Sequence, residues 1–265
     1  MPFAFIGFFL ATKSHNMEWI KLLYVVLCMV FARSAAMGFN RYIDRDIDKE
    51  NERTSKVREI PNGTITAQNA LIFVIINSLL FITTTYLINP LCFALSPIAL
   101  IVILGYSFTK RFTALCHLIL GLGLGLSPIG AYLAVSGEFE LIPILFSAAV
   151  LFWVSGFDII YSLQDEQFDK TQKLHSIPVL MGKKNALQLS NVLHLISFLI
   201  LAFAGTLGEF GKLYWLGFSI FCGLLIYQHT LVKHNDLSKV NLAFFTTNGI
   251  ASVIFGTFVI FDLLL

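Results

Sequence analysis

The sequence predicts an all-α integral membrane protein, a nine-helix bundle built on an internal repeat whose first helix is short. Three observations predict it. Of the 265 residues, 57% are hydrophobic and 13% are charged, which lies outside the composition of a water-soluble domain. Eight apolar stretches approach the roughly 20 residues that a helix needs to cross about 30 Å of hydrocarbon. A polar signature at the end of one such stretch recurs 121 residues later at the end of another.

The first apolar run, Phe3 to Ala11, is about half a span. The spans follow at residues 20–39, 67–88, 91–108, 114–133, 141–161, 187–208, 214–231 and 241–264. No Pro/Gly/Ser-rich linker separates them, so residues 1–265 read as a single transmembrane domain. Loops 40–66, 109–113, 162–186 and 232–240 hold fourteen of the eighteen lysines and arginines, whereas the loops near Asn89, Glu138 and Glu209 hold only Lys212. The positive-inside rule therefore places the four basic loops in the cytoplasm. With Phe3–Ala11 counted as a helix, the N-terminus is inside and the C-terminus outside. The lipid bilayer is the expected surrounding. A net charge of +2, dispersed over several loops, points to no nucleic-acid partner. Cys28, Cys92, Cys116 and Cys222 stand singly in apolar stretches without metal-ligand spacing.

The functional signal begins at the end of the first full span, in Arg33-Ser-Ala-Ala-Met-Gly-Phe-Asn40-Arg-Tyr-Ile-Asp44-Arg-Asp-Ile-Asp48. On a helix, Asn40, Asp44 and Asp48 form one stripe, and Asp46 points away from it. Like charges four residues apart repel, so the stripe calls for a cation. The fifth full span ends in Asp158-Ile-Ile-Tyr161-Ser-Leu-Gln-Asp165-Glu-Gln-Phe-Asp169, with the same spacing. Asp44 aligns with Asp165, Asp48 with Asp169 and Asn40 with Tyr161, and Ile60-Pro61 has a counterpart in Ile177-Pro178. Either segment alone reads as a solvated, charge-mixed loop, but the recurrence favours a site at the interface of two repeats.

Two carboxylate pairs suit Mg²⁺, which binds one or two carboxylates together with substrate phosphate oxygens. A diphosphate is the natural bridging ligand. With an allylic diphosphate, such a site neutralises the charge that develops on the leaving group, and an electron-rich ring then attacks the carbocation.

These residues resemble the UbiA superfamily of intramembrane aromatic prenyltransferases, whose signatures are NxxxDxxxD and a later DxxxD. Asn40-x3-Asp44-x3-Asp48 is similar to the first, and Tyr161-Ser-Leu-Gln-Asp165-x3-Asp169 to the second. Lys110-Arg111 stands where the family carries a basic pair. The resemblance implies a UbiA-type bundle in which Asp44, Asp48, Asp165 and Asp169 hold Mg²⁺. Asn40, Arg53, Arg58 and Lys110 would contact the diphosphate, although three residues rather than two separate Arg53-Thr from Arg58. The implied reaction moves a polyprenyl group from polyprenyl diphosphate onto a 4-hydroxybenzoate-type aromatic acid in respiratory quinone synthesis. Transfer to a hydroxynaphthoate is the alternative. The implied location is the bacterial inner membrane with the active site on the cytoplasmic side. The family also has a longer first helix, so the chain is expected to begin in mid-helix, with the true start upstream.

Arg33 and Asp158 each precede a motif by seven residues, about 10 Å deeper on the same helix face. Charges at that depth are functional candidates. Arg33 is the candidate for an acceptor carboxylate and Asp158 for orienting a polar partner, unless the two neutralise each other. Tyr161 is a candidate to stabilise a carbocation through its ring. His117 and His194 read as hydrogen-bonded core residues, since neither has a partner at ligand spacing. Gly121, Gly123 and Gly125 read as small residues that let helices approach. A secondary transporter, the rival from another class, predicts unwound helices at mid-membrane.

Overall fold

The computed structural model describes residues 1–265. Eleven α-helices make up almost all of it: α1 (Pro2–Ala11), α2 (Trp19–Ile43), α3 (Arg45–Glu50), α4 (Ala67–Ile88), α5 (Pro90–Thr109), α6 (Cys116–Ser136), α7 (Leu141–Ser162), α8 (Glu166–Thr171), α9 (Ile177–Leu207), α10 (Lys212–Leu231) and α11 (Asn248–Leu264). A 3₁₀ turn, Leu163–Asp165, joins α7 to α8, and a π-helical turn, Leu242–Thr247, leads into α11. Nine of these form the bundle, and the short α3 and α8 lie at one end of it.

Local chemistry sets several helix starts. Thr66, Asn89 and Ser176 cap α4, α5 and α9 by accepting the backbone N–H of Asn69, Cys92 and Val179. Such caps satisfy donors that the first helical turn leaves free. Pro90 and Pro178 stand in the opening turn, where no N–H is needed.

The repeat is visible in the backbone. Moving α3 forward by 121 residues lands on α8, residue for residue. Helices α2, α4 and α5 (25, 22 and 20 residues) correspond in order to α7, α9 and α10 (22, 31 and 20 residues). Packing follows two chains of neighbours, α2–α4–α5–α6 and α7–α9–α10–α11, with α6 against α7 and α1 against α6 and α11.

The segments Trp19–Ile43, Ala67–Ile88, Pro90–Thr109, Cys116–Ser136, Leu141–Thr171, Ile177–Leu207 and Leu242–Leu264 are the seven long and apolar enough to cross a membrane. The protein is an integral membrane protein. The remaining full-length stretch, expected at 214–231, forms α10 with 20 residues but is less apolar because it ends in Gln228 and His229. Both turn inward. Gln228 is buried and donates Nε2–H to the Ala243 carbonyl at 3.0 Å, and His229 lies 2.8 Å from His194. The stretch expected at 187–208 starts earlier, at Ile177, because the chain breaks helical geometry only at Gly182 (φ 78°, ψ 162°) and resumes it. That conformation suits glycine.

Water does not drive one apolar helix against another inside lipid, so close packing and polar contacts hold the bundle. A Cβ on Gly121 would collide with the Leu151 carbonyl and Ser155 Oγ, and one on Gly125 would lie 2.9 Å from the Ser147 carbonyl. Gly123 faces Ile103 on the other side, with room to spare. Serine hydroxyls then tie neighbouring backbones: Ser155 donates to the His117 carbonyl (3.1 Å), Ser190 to Gly156 (2.7 Å) and Ser197 to Ala149 (2.9 Å). Each such bond contributes about 0.6–2 kcal/mol in a membrane.

Candidate active site

Both aspartate motifs sit where a long helix stops and a short one starts. Asp44 leaves helical geometry (φ −90°, ψ 6°) between α2 and α3, and Asp165 does the same (φ −97°, ψ 0°) between the 3₁₀ turn and α8. The expected single stripe of Asn40, Asp44 and Asp48 along one helix is therefore broken at its middle residue. The break lets the chain turn across the end of the bundle while Asp48 N–H still reaches the Asp44 carbonyl at 2.7 Å. Asp46 points away as expected, its side chain 83% exposed. The paired breaks lie at helix ends, not at mid-membrane where a transporter would unwind.

The first two clusters meet over a cavity of about 220 Å³. Asn40, Asp44, Asp48, Arg53, Arg58, Lys110, Asp158, Tyr161 and Asp165 all line it, beside Asn51, Thr54, Tyr106 and His117. Asp169 does not. It is wholly buried behind Lys110, whose Nζ lies 2.7 Å from Asp169 Oδ1. Arg33 does not line it either. It is exposed on α2 two turns below Asn40, on the same helix face.

Every one of the four aspartates faces a cation. Arg53 grips Asp165 with two bonds, Nη2 to Oδ2 at 2.6 Å and Nε to Oδ1 at 3.0 Å. Arg111 Nη2 lies 3.3 Å from Asp44 Oδ1, and Arg58 Nε lies 3.9 Å from Asp48 Oδ2. Asn40 donates Nδ2–H to Asp44 Oδ2 at 2.8 Å. Arg53 also donates Nη1–H to the Tyr161 hydroxyl at 3.0 Å, and Tyr161 stacks on Phe244 with ring centroids 4.1 Å apart. The π-helical turn presents Phe244 there. Asn248 Nδ2 and Gln228 Nε2 satisfy the carbonyls that such a turn frees.

The carboxylates remain under strain of charge despite these partners. Burial pushes Asp44 up to about 6, with the pull of Arg111 opposing and the neighbouring Asp48 adding to the rise. Burial likewise raises Asp48. Asp48 Oδ2 is buried without a hydrogen-bond donor, its facing cation Arg58 Nε standing 3.9 Å away. Buried oxygens with free lone pairs fit a hard divalent cation. No three acidic, histidine or cysteine side chains stand close enough to form a ready-made cage. Mg²⁺ does not require one, since substrate oxygens and water complete its shell.

Asp158 and Arg33 do not pair with each other. Asp158 Oδ2 instead receives Nδ1–H of His117 at 2.7 Å. His194 is a hydrogen-bonded core histidine as expected, held between His229 and the Trp153 carbonyl, whereas His117, hydrogen-bonded as well, lines the cavity. Sequence reasoning passed over Asn51, Thr54, Arg111 and Phe244 as site residues. Only Arg111 carried a signal, as the second member of the basic pair. Asn51 donates to Asp165 (3.4 Å) and Thr54 to the Asp48 carbonyl (2.9 Å) through loop geometry that no spacing encodes.

The model of the UbiA prenyltransferase family matches residues 1–250. The chain is 30% identical over 247 residues to a 4-hydroxybenzoate octaprenyltransferase of Shewanella sp. (strain ANA-3), covering 93% of this chain and 86% of that one. It is 30% identical over 255 residues to the enzyme of the same name from Paraburkholderia phytofirmans, with 93% and 85% covered. Among solved structures, the apo structure of a UbiA homolog from Aeropyrum pernix K1 superposes with a TM-score of 0.89 at 30% identity, over 98% of this chain and 95% of that one. A UbiA homolog from Archaeoglobus fulgidus bound to GPP and Mg²⁺ superposes with a TM-score of 0.71 at 21% identity, over 100% and 97%.

Proposed function

The chain belongs to the UbiA prenyltransferase family, and from that premise we propose that it transfers a polyprenyl group from polyprenyl diphosphate to 4-hydroxybenzoate or a close aromatic acid. The observation that carries this reading is the single cavity over which four buried or half-buried acid and amide side chains face a ring of cations. That combination fits a metal-bound diphosphate and few other ligands. The names of the bacterial relatives support a hydroxybenzoate acceptor.

Asp44, Asp48 and Asp165, which line the cavity, are the residues that would hold Mg²⁺, with Asn40 orienting Asp44, and Asp169 would join them once Lys110 turns away. When bound, Mg²⁺ supplies neutralisation of the charge that gathers on the departing diphosphate. Arg53, Arg58 and Lys110 now neutralise the aspartates, and they are the donors that turn to diphosphate oxygens, for which a guanidinium fork is well shaped. Tyr161, held by Arg53 and stacked on Phe244, offers its ring face to the allylic cation. Arg33, exposed and without an ion-pair partner, is the residue for the acceptor's carboxylate. The basic loops at the end of the bundle that carries the site support, by the positive-inside rule, an active site on the cytoplasmic side, and the bacterial relatives support an inner-membrane location.

Purified protein with Mg²⁺, a polyprenyl diphosphate, and 4-hydroxybenzoate or a hydroxynaphthoate in parallel tests the reading. Prenylated hydroxybenzoate with release of diphosphate is expected. Product from the naphthoate alone would reassign the acceptor, and no product from either would overturn the proposal.

A further inference from the structure

The contact between His117 and Asp158 has a direction. The backbone N–H of Ile177, at the start of α9, donates to His117 Nε2 at 3.3 Å. That nitrogen is therefore the acceptor, so Nδ1 carries the hydrogen and donates it to Asp158 Oδ2 at 2.7 Å. Ser155 donates to the His117 carbonyl and fixes this point of α6 against α7. Three helices thus hold one imidazole, which is buried, in one tautomer and one orientation. The other oxygen of Asp158, Oδ1, receives no hydrogen bond, and both residues line the cavity beneath the aspartate clusters. Ionisable residues at membrane depth that face a cavity are functional candidates.

Its position gives it a task, on the reading that the acceptor is a hydroxylated aromatic acid. Asp158 lies seven residues before Asp165, about 10 Å deeper along the helix axis, and lines the same cavity. In the transfer, the allylic C–O bond breaks and its electron pair leaves with diphosphate. A ring carbon beside the hydroxyl supplies the pair for the new C–C bond. The hydrogen on that carbon must then depart as a proton to restore aromaticity. We propose that Asp158 accepts this proton on Oδ1, and that His117 is the positioning residue that aims the carboxylate. The other carboxylates at the site are already taken by lysine or arginine, whereas Asp158 is held on one oxygen by the His117 imidazole and keeps the other free.

The test uses 4-hydroxybenzoate deuterated at both ring positions beside the hydroxyl. With the unaltered protein, proton loss follows C–C bond formation rapidly, and the isotope effect on product formation is expected to be near unity. Asp158→Asn is expected to lower kcat by about 10²–10⁴-fold, the usual worth of a general base. It should leave the KM for the diphosphate unchanged and bring out a primary isotope effect. His117→Phe is expected to give a smaller fall and a smaller isotope effect. Should Asp158→Asn not accumulate in the membrane, Asp158→Glu, which keeps a carboxylate one methylene out of place, carries the same readout. Product formation with an isotope effect near unity in the Asp158 variant overturns the inference alone. Absence of prenylated acid from the unaltered protein overturns the acceptor reading and this inference with it.

Discussion

Arg53, on the loop that follows the first aspartate cluster, holds Asp165 of the second cluster in a two-pronged ion pair, with bonds of 2.6 and 3.0 Å. The pair closes the two halves of the repeat over the cavity. It also neutralises a buried carboxylate.

Replacing Arg53 by Lys should therefore do more than a change between two cations suggests. Lysine cannot form the fork or reach Tyr161 at the same time. Loss of one charge-assisted bond, about 1.5–3 kcal/mol, corresponds to a roughly 10- to 100-fold rise in the KM for the diphosphate. Steady-state kinetics with a fixed acceptor concentration check it, and an unchanged KM would remove Arg53 from the site.

Asp44→Ala and Asp165→Ala are each expected to abolish turnover and leave membrane insertion intact, since both residues lie at helix ends. Chelation of divalent ions from the unaltered protein should do the same, with recovery on adding Mg²⁺. Activity near that of the unaltered protein in either variant would break the two-cluster mechanism.

Arg33→Met is expected to raise the KM for the aromatic acid by about tenfold or more, on the worth of a charge-assisted hydrogen bond, with the KM for the diphosphate unchanged. Methionine keeps an unbranched apolar stem and makes no polar demand. An unaltered acceptor KM in the folded protein would take the carboxylate away from Arg33.

Gly121→Ala should destabilise the bundle by about 1–3 kcal/mol, the usual cost of overpacking. Its Cβ meets the backbone of Leu151, which has no freedom to move aside. Gly130→Ala is the matched control, because nothing lies within 4 Å of the added carbon. A shift in thermal unfolding in detergent for the first and none, or a small gain, for the second is expected.

Much of the architecture was legible before any coordinates. Span length is a direct reading of bilayer thickness, so α2, α4, α5, α6 and α7 fell where apolar stretches predict them. The recurrence of Asp44/Asp48 as Asp165/Asp169 identified the repeat, which the equal placing of α3 and α8 bears out. One misreading arose where an element was judged by its own residues alone. The stripe from Asn40 to Asp48 presumed an unbroken helix, whereas the chain turns at Asp44.

Spacing along a helix needs only the local chain, and so the sequence by itself determined that this protein spans a membrane, repeats itself and carries two acidic clusters. Which cation faces which aspartate was decided by tertiary structure alone, because Arg53 and Asp165, Lys110 and Asp169, and Arg111 and Asp44 are dozens to more than a hundred residues apart. The same holds for Asp158. Sequence marked it as a charge too deep to be idle, but its partner is His117 on another helix, and only the N–H of Ile177 from a third determines which of its nitrogens holds the proton.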